Sequence, residues 1–372
     1  MGSAIVEMYV TEGDKQTKLV FTGDIGQPNQ PIIEDPDKIS GADFIITEST
    51  YGNRVHEVYD KEAELAKIIN ETAEKGGNII IPAFAVGRTQ VLLYYFQKLL
   101  SEGRIPDIPI YVDSPMANKA TQITMTNPEE YDEEARALYE MQGRRLVSMY
   151  NLRFTATAQE SMAINDILGP KIILSASGMA DAGRILHHLK HNLWREDSCV
   201  IFAGYQAEGS MGRRLVDGAK RVKIMGENIM VKARIVNMRG YSAHADKEQL
   251  LTWFGSMKEK PKAFLVIHGE IDAAISFADE LNRRLGTAAY VPRFGDCIEI
   301  KGTEWQIHEC EGIREEPAAL ELRAFLRGME RDYLQQRTKI EQIVARDATK
   351  VTMIRKKMEK MRKYMDDLLS DI

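Results

Sequence analysis

The sequence predicts an α/β fold, because short apolar segments of strand length alternate with segments of helical periodicity along most of the chain. Each apolar segment is continuous and is followed by a loop of small residues, a pattern typical of strands buried on both faces. Parallel strands need a crossover connection, which is usually a helix, so the alternation predicts a mostly parallel sheet with ligand-facing loops at the strand ends. The apolar segments are Ile79–Ile81, Ile110–Val112, Lys171–Leu174 and Val200–Phe202.

Length and composition restrict the classes of protein to consider. The chain has 372 residues, enough for two domains and a tail, and its 44% hydrophobic and 28% charged residues are ordinary for a soluble globular protein. It has no apolar run of membrane-spanning length, no signal-peptide pattern and no C-x-x-C spacing among its three cysteines, so we expect a cytoplasmic protein with reduced thiols. The net charge of −6 argues against broad electrostatic binding of nucleic acid, so such contacts would need a local basic groove.

Two histidines stand at the ends of apolar runs, where a strand stops and a loop opens. His244 lies in the segment M-R-G-Y-S-A-H-A-D, in which Asp246 and Gln249 form a capping box for the helix that follows. His268 ends a buried strand and is followed by Gly269, which lets the backbone bend close to a site. Their like placement predicts one shared site; the alternative for each is a hydrogen-bonded core histidine.

Two acids near the start of the chain also follow strands. Asp24 comes after the strand Leu19–Phe21, and Glu48 comes after the strand Phe44–Thr47. Carboxylates at strand ends bind divalent cations or orient an imidazole. Ordinary acids at the ends of strands are the alternative.

Four motifs that carry these residues, taken in order, resemble those of the β-CASP group of metallo-β-lactamase-fold nucleases. They are T-G-D at 22–24, E-S-T-Y-G at 48–52, S-A-H-A-D at 242–246 and H-G-E at 268–270. Segments 76–90, 109–117 and 175–179 also look like the family's inserted domain, and the resemblance covers roughly residues 1–312. It implies a truncated metallo-β-lactamase αββα-type domain at 1–53 and 236–312, an inserted β-CASP α/β domain at 54–235 and a C-terminal helical extension at 313–372.

The resemblance also implies a reaction, which is zinc-dependent hydrolysis of RNA phosphodiester bonds. Asp24 matches the carboxylate that bridges two zinc ions, and His268 matches a histidine ligand of one of them. Glu48 corresponds to the acid that orients the catalytic histidine, and His244 to that histidine, which protonates the leaving oxygen. A histidine at position 268 is the pattern associated with the RNA-cleaving branches.

The chain departs from the family pattern in one respect. The family's H-x-H-x-D-H motif, placed upstream of Gly2-Ser3-Ala4, is not in this sequence, so the chain resembles an N-terminally truncated member. Asp24 and His268 supply two metal ligands, whereas a catalytic zinc takes about three protein ligands plus water. We therefore expect weak metal binding by the chain alone. Two alternatives to an active hydrolase stay open: a non-catalytic RNA-binding or scaffold subunit, and half of a split enzyme.

Three loops of the middle segment are predicted to contact RNA. Arg88 opens a helix after Gly87, where free backbone N–H groups and the guanidinium would hold a phosphate. Ser177 and Gly178 lie in a second loop, and Tyr205 in a third would stack a base. Tight connections between strands and helices are the alternative. A further group, His187-His188-x-x-His191, is predicted to be a solvated helix face.

The tail at 313–372 differs in composition from the rest of the chain and is rich in charged residues. Apolar residues at helical spacing predict a helical hairpin or coiled-coil arm. The arm would either pack back on the domain or mediate a homodimer or a contact with a partner protein.

Overall fold

The computed structural model describes residues 2–57, 60–141, 143, 147–308, 340, 351 and 353–359, except for the side chain of Arg239. These residues divide into two compact units, Met1–Arg293 with Ile300–Trp305 and Phe294–Glu299 with Gln306–Ile372. The candidate site and all of the elements discussed below for it lie in the first unit.

The elements alternate between strand and helix, as the sequence predicts. The strands are β1 (Val6–Glu12), β2 (Lys15–Phe21), β3 (Phe44–Thr47), β4 (Ile79–Pro82), β5 (Ile110–Val112), β6 (Leu152–Phe154), β7 (Ile172–Ser175), β8 (Cys199–Phe202), β9 (Arg221–Ile224), β10 (Glu227–Met230), β11 (Arg234–Asn237), β12 (Ala263–Val266), β13 (Ala288–Tyr290), β14 (Cys297–Lys301) and β15 (Glu304–His308). The helices are α1 (Lys61–Glu74), α2 (Arg88–Ser101), α3 (Pro115–Thr126), α4 (Glu133–Met141), α5 (Ala158–Ala163), α6 (Ile185–Asn192), α7 (Met211–Val216), α8 (Lys247–Gly255) and α9 (Ile271–Glu280).

One sheet of five strands has the order β1-β2-β3-β12-β13. Strands β1 and β2 form an antiparallel hairpin, and the other neighbours pair in parallel. Because β2, β3 and β12 run in the same direction, the loops that follow them lie at one edge of the sheet. That edge therefore receives Asp24, Glu48 and His268.

A second sheet of six strands has the order β11-β8-β4-β7-β5-β6 and is parallel throughout. Alternate residues of its strands enter two separate cores, with Ile79 and Ile81 on one face and Ile80 on the other. Burial on both faces explains why these strands read as continuous apolar runs. The prediction of an α/β fold with a parallel sheet is confirmed, whereas the domain boundaries at 53, 235 and 312 stay a prediction.

The helix after the S-A-H-A-D motif begins where the sequence predicts. The carboxylate of Asp246 accepts the backbone N–H of Gln249 at 2.9 Å, and the Gln249 side chain accepts the backbone N–H of Asp246 at 2.9 Å. This reciprocal capping box fixes the N-cap of α8 at Asp246, two residues after His244.

A buried polar network lies between β5 and α6, and it corrects the prediction for the three histidines of that helix. His187 and His191 are exposed, but His188 is fully buried, and its Nε2 lies 2.6 Å from Oδ2 of Asp113. The buried carboxylate of Asp113 also accepts hydrogen bonds from Thr155, Ser161 and Arg184. Adjacent histidines on a short helix point in different directions, so one of them faces the core.

Residues of the second unit are described in part. His308 is exposed on β15, where its Nε2 lies 3.0 Å from Oε2 of Glu299. Within the predicted tail, Ile340, Val351 and Met353–Glu359 are helical, and the rest of the proposed hairpin lies outside the described residues. No helix in the described part of the chain is long and apolar enough to cross a membrane.

We predict that Asp113→Asn lowers the free energy of unfolding by about 3 kcal/mol at pH 7, because it leaves the buried partners of the carboxylate uncompensated. Burial alone would raise the pKa of Asp113, but the hydrogen bonds from His188, Ser161, Thr155 and Arg184 outweigh it and hold the pKa far below its usual range. The folded-state pKa is depressed, so the loss should be constant above about pH 5 and shrink below about pH 4. Urea unfolding at each pH measures it.

The exposed Asp217→Asn, which removes the partner of Arg213, serves as the control and should leave stability unchanged. Equal effects of the two substitutions would contradict the role given to Asp113.

Candidate active site

Glu48 and His244 form the centre of the site. Glu48 is 2% exposed, and its Oε2 lies 3.1 Å from Nδ1 of His244. Its other oxygen accepts the backbone N–H of Ile25 at 2.6 Å. Burial lowers the pKa of His244, but the hydrogen bond and charge of Glu48 outweigh this effect, so the net pKa is raised. The pair is thus set up to keep a proton on the imidazole.

The loop that carries His244 is fixed by a short stretch of β-like pairing with residues 25–27. Gly26 and His244 form an antiparallel bridge. On either side of it, the N–H of Gln27 donates to the carbonyl of Ala243, and the N–H of Ala245 donates to the carbonyl of Ile25, both at 2.8 Å. These bonds place His244 directly beside the segment that follows Asp24.

Asp24 and His268 meet at the open side of the same edge. The Nε2 atom of His268 lies 3.3 Å from Oδ1 of Asp24, and both side chains are at least half exposed. His268 has a φ of +50°, a left-handed backbone conformation that is uncommon for residues with a side chain. The neighbouring Gly269 is required, because a Cβ there would lie 2.4 Å from the hydroxyl of Ser49. This tight turn directs His268 towards Asp24, and its ring stacks on that of His244 with centroids 6.5 Å apart.

Carboxylate and imidazole groups are a donor set that suits zinc. Within the described residues, one group of three such side chains has its ligand atoms within 4.8 Å of one another, namely Asp24, Glu48 and His244. Both oxygens of Glu48 are already hydrogen-bonded, whereas Asp24 and His268 face each other at the surface. The geometry therefore fits Asp24 and His268 as metal ligands and Glu48 as the group that orients His244.

His56, which no sequence motif singles out, contacts the loop that carries His244 twice. Its backbone N–H donates to Oδ2 of Asp246 at 2.8 Å, and its ring Nε2 lies 3.0 Å from the carbonyl oxygen of His244. Its ring also packs edge-on against Tyr51, at 4.8 Å between centroids. The position of His56 shortly after the E-S-T-Y-G motif could have indicated this role, because the segment that follows β3 passes beside the carboxyl edge of the five-stranded sheet.

Arg88, predicted to hold a phosphate, lies at the start of α2 and is 8% exposed. Burial lowers its pKa to about 10, against smaller opposing effects of Tyr51, Tyr241 and Tyr95. The charge of Arg88 lowers the pKa of His244, which shows that Arg88 lies near the pair formed by Glu48 and His244. Among the described residues no carboxylate forms an ion pair with its guanidinium. A buried cation without an anion is unfavourable, and an anionic ligand would neutralise it.

The other predicted RNA contacts lie at the carboxyl ends of β7 and β8. Ser177 accepts the backbone N–H of Ala182 at 3.4 Å, and Gly178 packs beneath the ring of Phe84. The hydroxyl of Tyr205 donates to Oε1 of Glu270, so the loop after β8 contacts the H-G-E motif. Burial and this bond raise the pKa of Tyr205 to about 12.

The chain matches two family models and is similar to several known proteins. Residues 89–215 match the family model of the Beta-Casp domain, and residues 228–292 match that of the Zn-dependent metallo-hydrolase RNA specificity domain. The chain is 35% identical over 301 residues to ribonuclease TTHA0252 of Thermus thermophilus, covering 80% of this chain and 67% of that protein.

Archaeal relatives match as well. Identity to transcription termination factor FttA is 31% over 310 residues for the protein of Methanocaldococcus jannaschii, and 30% over 294 residues for that of Methanosarcina mazei. These matches cover 81% and 77% of this chain, but 48% and 46% of the archaeal proteins, so the chain spans about half of their length. The two domain matches and the ribonuclease relative show that the chain belongs to the β-CASP family of RNA nucleases with the metallo-β-lactamase fold.

Proposed function

We propose that this chain takes part in the hydrolysis of RNA phosphodiester bonds in the cytoplasm, with the scissile phosphate at the edge that carries Asp24, His244 and His268. The observation that carries the proposal is the arrangement of a protonatable imidazole, held by a buried acid, across from an exposed aspartate–histidine pair. The name of the matched RNA specificity domain supports RNA as the substrate class.

In the proposed reaction His244 is the general acid. Glu48 holds the ring by Nδ1, which leaves Nε2 to present a proton to the leaving oxygen. The raised pKa of His244 increases the fraction that carries this proton at neutral pH. Asp24 and His268 would hold zinc, up to two ions with further ligands, and zinc when bound would lower the pKa of water and stabilise charge on the phosphate.

Arg88 is proposed to hold a phosphate of the RNA next to the one that is cleaved. Its buried guanidinium has no carboxylate partner in the described part of the chain, and it lies at the start of α2, where the helix dipole favours an anion. The backbone N–H groups of Arg88 and Thr89 are not free, contrary to the sequence prediction, because they donate to the carbonyls of Val86 and Phe84. Ser177, Gly178 and Tyr205 belong to loops at the carboxyl edge of the same sheet, and we propose that they line the path of the strand. We further propose that residues 313–372 mediate a homodimer or a contact with a partner protein.

We predict that His244→Ala lowers the rate of cleavage of a labelled single-stranded RNA in the presence of Zn²⁺ at least about 100-fold, while the affinity for that RNA stays within about twofold of wild type. Loss of a general acid reduces the rate by about 10²–10⁴-fold without removing a binding group. Gel assays measure cleavage, and fluorescence anisotropy measures binding.

The matched control is His187→Ala, an exposed histidine on α6, which should cleave like wild type. Cleavage by the His244 variant at the wild-type rate would contradict the assigned acid. If the wild-type chain binds RNA and zinc but cleaves nothing, the non-catalytic RNA-binding subunit replaces the hydrolase.

A second prediction concerns Arg88→Met, which replaces the buried cation by an apolar side chain of similar length. We expect a more stable protein, by about 1 kcal/mol or more, because an uncompensated buried charge is removed. RNA affinity should fall about tenfold or more, because a charge-assisted contact with phosphate is lost. Thermal or urea unfolding and anisotropy measure the two effects.

Arg195→Met is the control, since Arg195 precedes β8 at the opposite edge of the sheet and pairs with Asp197 through two hydrogen bonds. It should leave RNA affinity unchanged. A destabilised Arg88 variant with full RNA affinity would show instead that the arginine serves the fold.

A further inference from the structure

We propose that Phe84 is a stacking platform for one nucleobase of the bound RNA strand. The inference rests on the proposed function, and it adds a residue that reads the base beside the arginine that would hold the phosphate. Phe84 lies in the loop between β4 and α2, four residues before Arg88.

The ring of Phe84 packs against the loop after β7 and stays about half exposed. A Cβ added to Gly178 would lie 2.8 Å from Cδ2 and 2.9 Å from Cε2 of the ring, so the backbone of Gly178 packs directly against it. The side chain is nevertheless 49% exposed. A side chain at position 178 would therefore collide with the ring, and about half of the Phe84 surface stays accessible to a ligand.

The backbone that carries the ring is held from several directions. The carbonyl oxygen of Phe84 accepts the hydroxyl of Thr89 at 2.8 Å and the backbone N–H of Thr89 at 3.3 Å. On either side, the N–H of Ala83 donates to the carbonyl of Ser175 at 3.0 Å, and the side chain of Gln90 donates to the carbonyl of Ala85 at 3.1 Å. Ala83 and Ala85 are both buried. The backbone that carries Phe84 is therefore fixed by hydrogen bonds on both sides of the residue.

A ligand that covers the exposed part of this ring would be stabilised by the contact, because fully burying a phenylalanine side chain contributes about 1.5–3 kcal/mol. The occupant is inferred from the neighbours. Arg88, the first residue of the helix that follows this loop, is a buried cation without a carboxylate partner among the described residues, which favours an anionic ligand. Phe84 precedes it by four residues, so the proposal is that one RNA strand offers a phosphate to Arg88 and a flat base to the ring. Single-stranded nucleic acid combines these two chemistries in one ligand.

The test measures binding of a 5′-labelled eight-nucleotide uridine RNA by anisotropy, in low salt and without cleavage-supporting metal. Base–aromatic stacking contributes about 1–3 kcal/mol per base, so Phe84→Leu should weaken binding at least fivefold, whereas Phe84→Trp should bind as tightly as wild type. A set of the same RNA with one abasic nucleotide at each position then locates the base. At one position the abasic substitution should weaken binding to wild type, and there Phe84→Leu should cause little further loss.

The control is Leu168→Ala, which removes an apolar side chain that is 95% exposed and precedes β7, at the opposite edge of the sheet. It should not change RNA affinity. Equal thermal unfolding of the Phe84 variants and wild type shows that the fold is retained.

Three results would overturn the proposal. Unchanged RNA affinity of Phe84→Leu, with binding that still depends on Arg88, would remove the platform and leave the proposed function standing. An equal loss with every abasic RNA would show that the ring supports the loop and contacts no base. No binding of RNA by the wild type would remove both proposals.

Discussion

The buried carboxylate of Glu48 is the constraint on which the rest of the site depends. It bonds the backbone of Ile25 with one oxygen and the imidazole of His244 with the other, so a single side chain joins segments more than two hundred residues apart in sequence. Removing a carboxylate from water is unfavourable unless its oxygens are hydrogen-bonded, and both of these oxygens are. The position of Glu48 at the end of β3 therefore sets where His244 stands relative to Asp24.

In both sheets, the loops that follow neighbouring parallel strands lie together at the carboxyl edge. In the five-stranded sheet, the ends of β2, β3 and β12 gather the acids and His268. In the six-stranded sheet, the ends of β4, β7 and β8 gather the loops of Phe84, Gly178 and Tyr205. The contact between Tyr205 and Glu270 connects the two edges. The residues of the candidate active site and the proposed RNA contacts thus lie next to each other, because the loops after parallel strands lie at the same end of a sheet.

Sequence patterns predict the part of this arrangement that depends on strand ends and order. Continuous apolar runs indicate the parallel sheet, and the four short motifs indicate the residues that meet. The remaining features depend on tertiary packing. Nothing in the spacing of the three histidines on α6 shows that His188 alone turns inward to Asp113. Likewise, the packing of Phe84 against Gly178 joins residues almost a hundred positions apart in the sequence. The contact of the His56 ring with the carbonyl oxygen of His244 is also made between distant parts of the chain.

The most direct test of this account is a titration of the His244 imidazole by NMR in the metal-free protein, in wild type and in Glu48→Gln. Glu48 raises the pKa of His244 against the effect of burial. We therefore expect a clearly lower pKa of His244 in Glu48→Gln, so that the ring loses its proton at lower pH. Glu270→Gln, which removes the partner of Tyr205, should leave the pKa of His244 unchanged. An equal or higher pKa of His244 in Glu48→Gln would contradict the central role given to the buried acid.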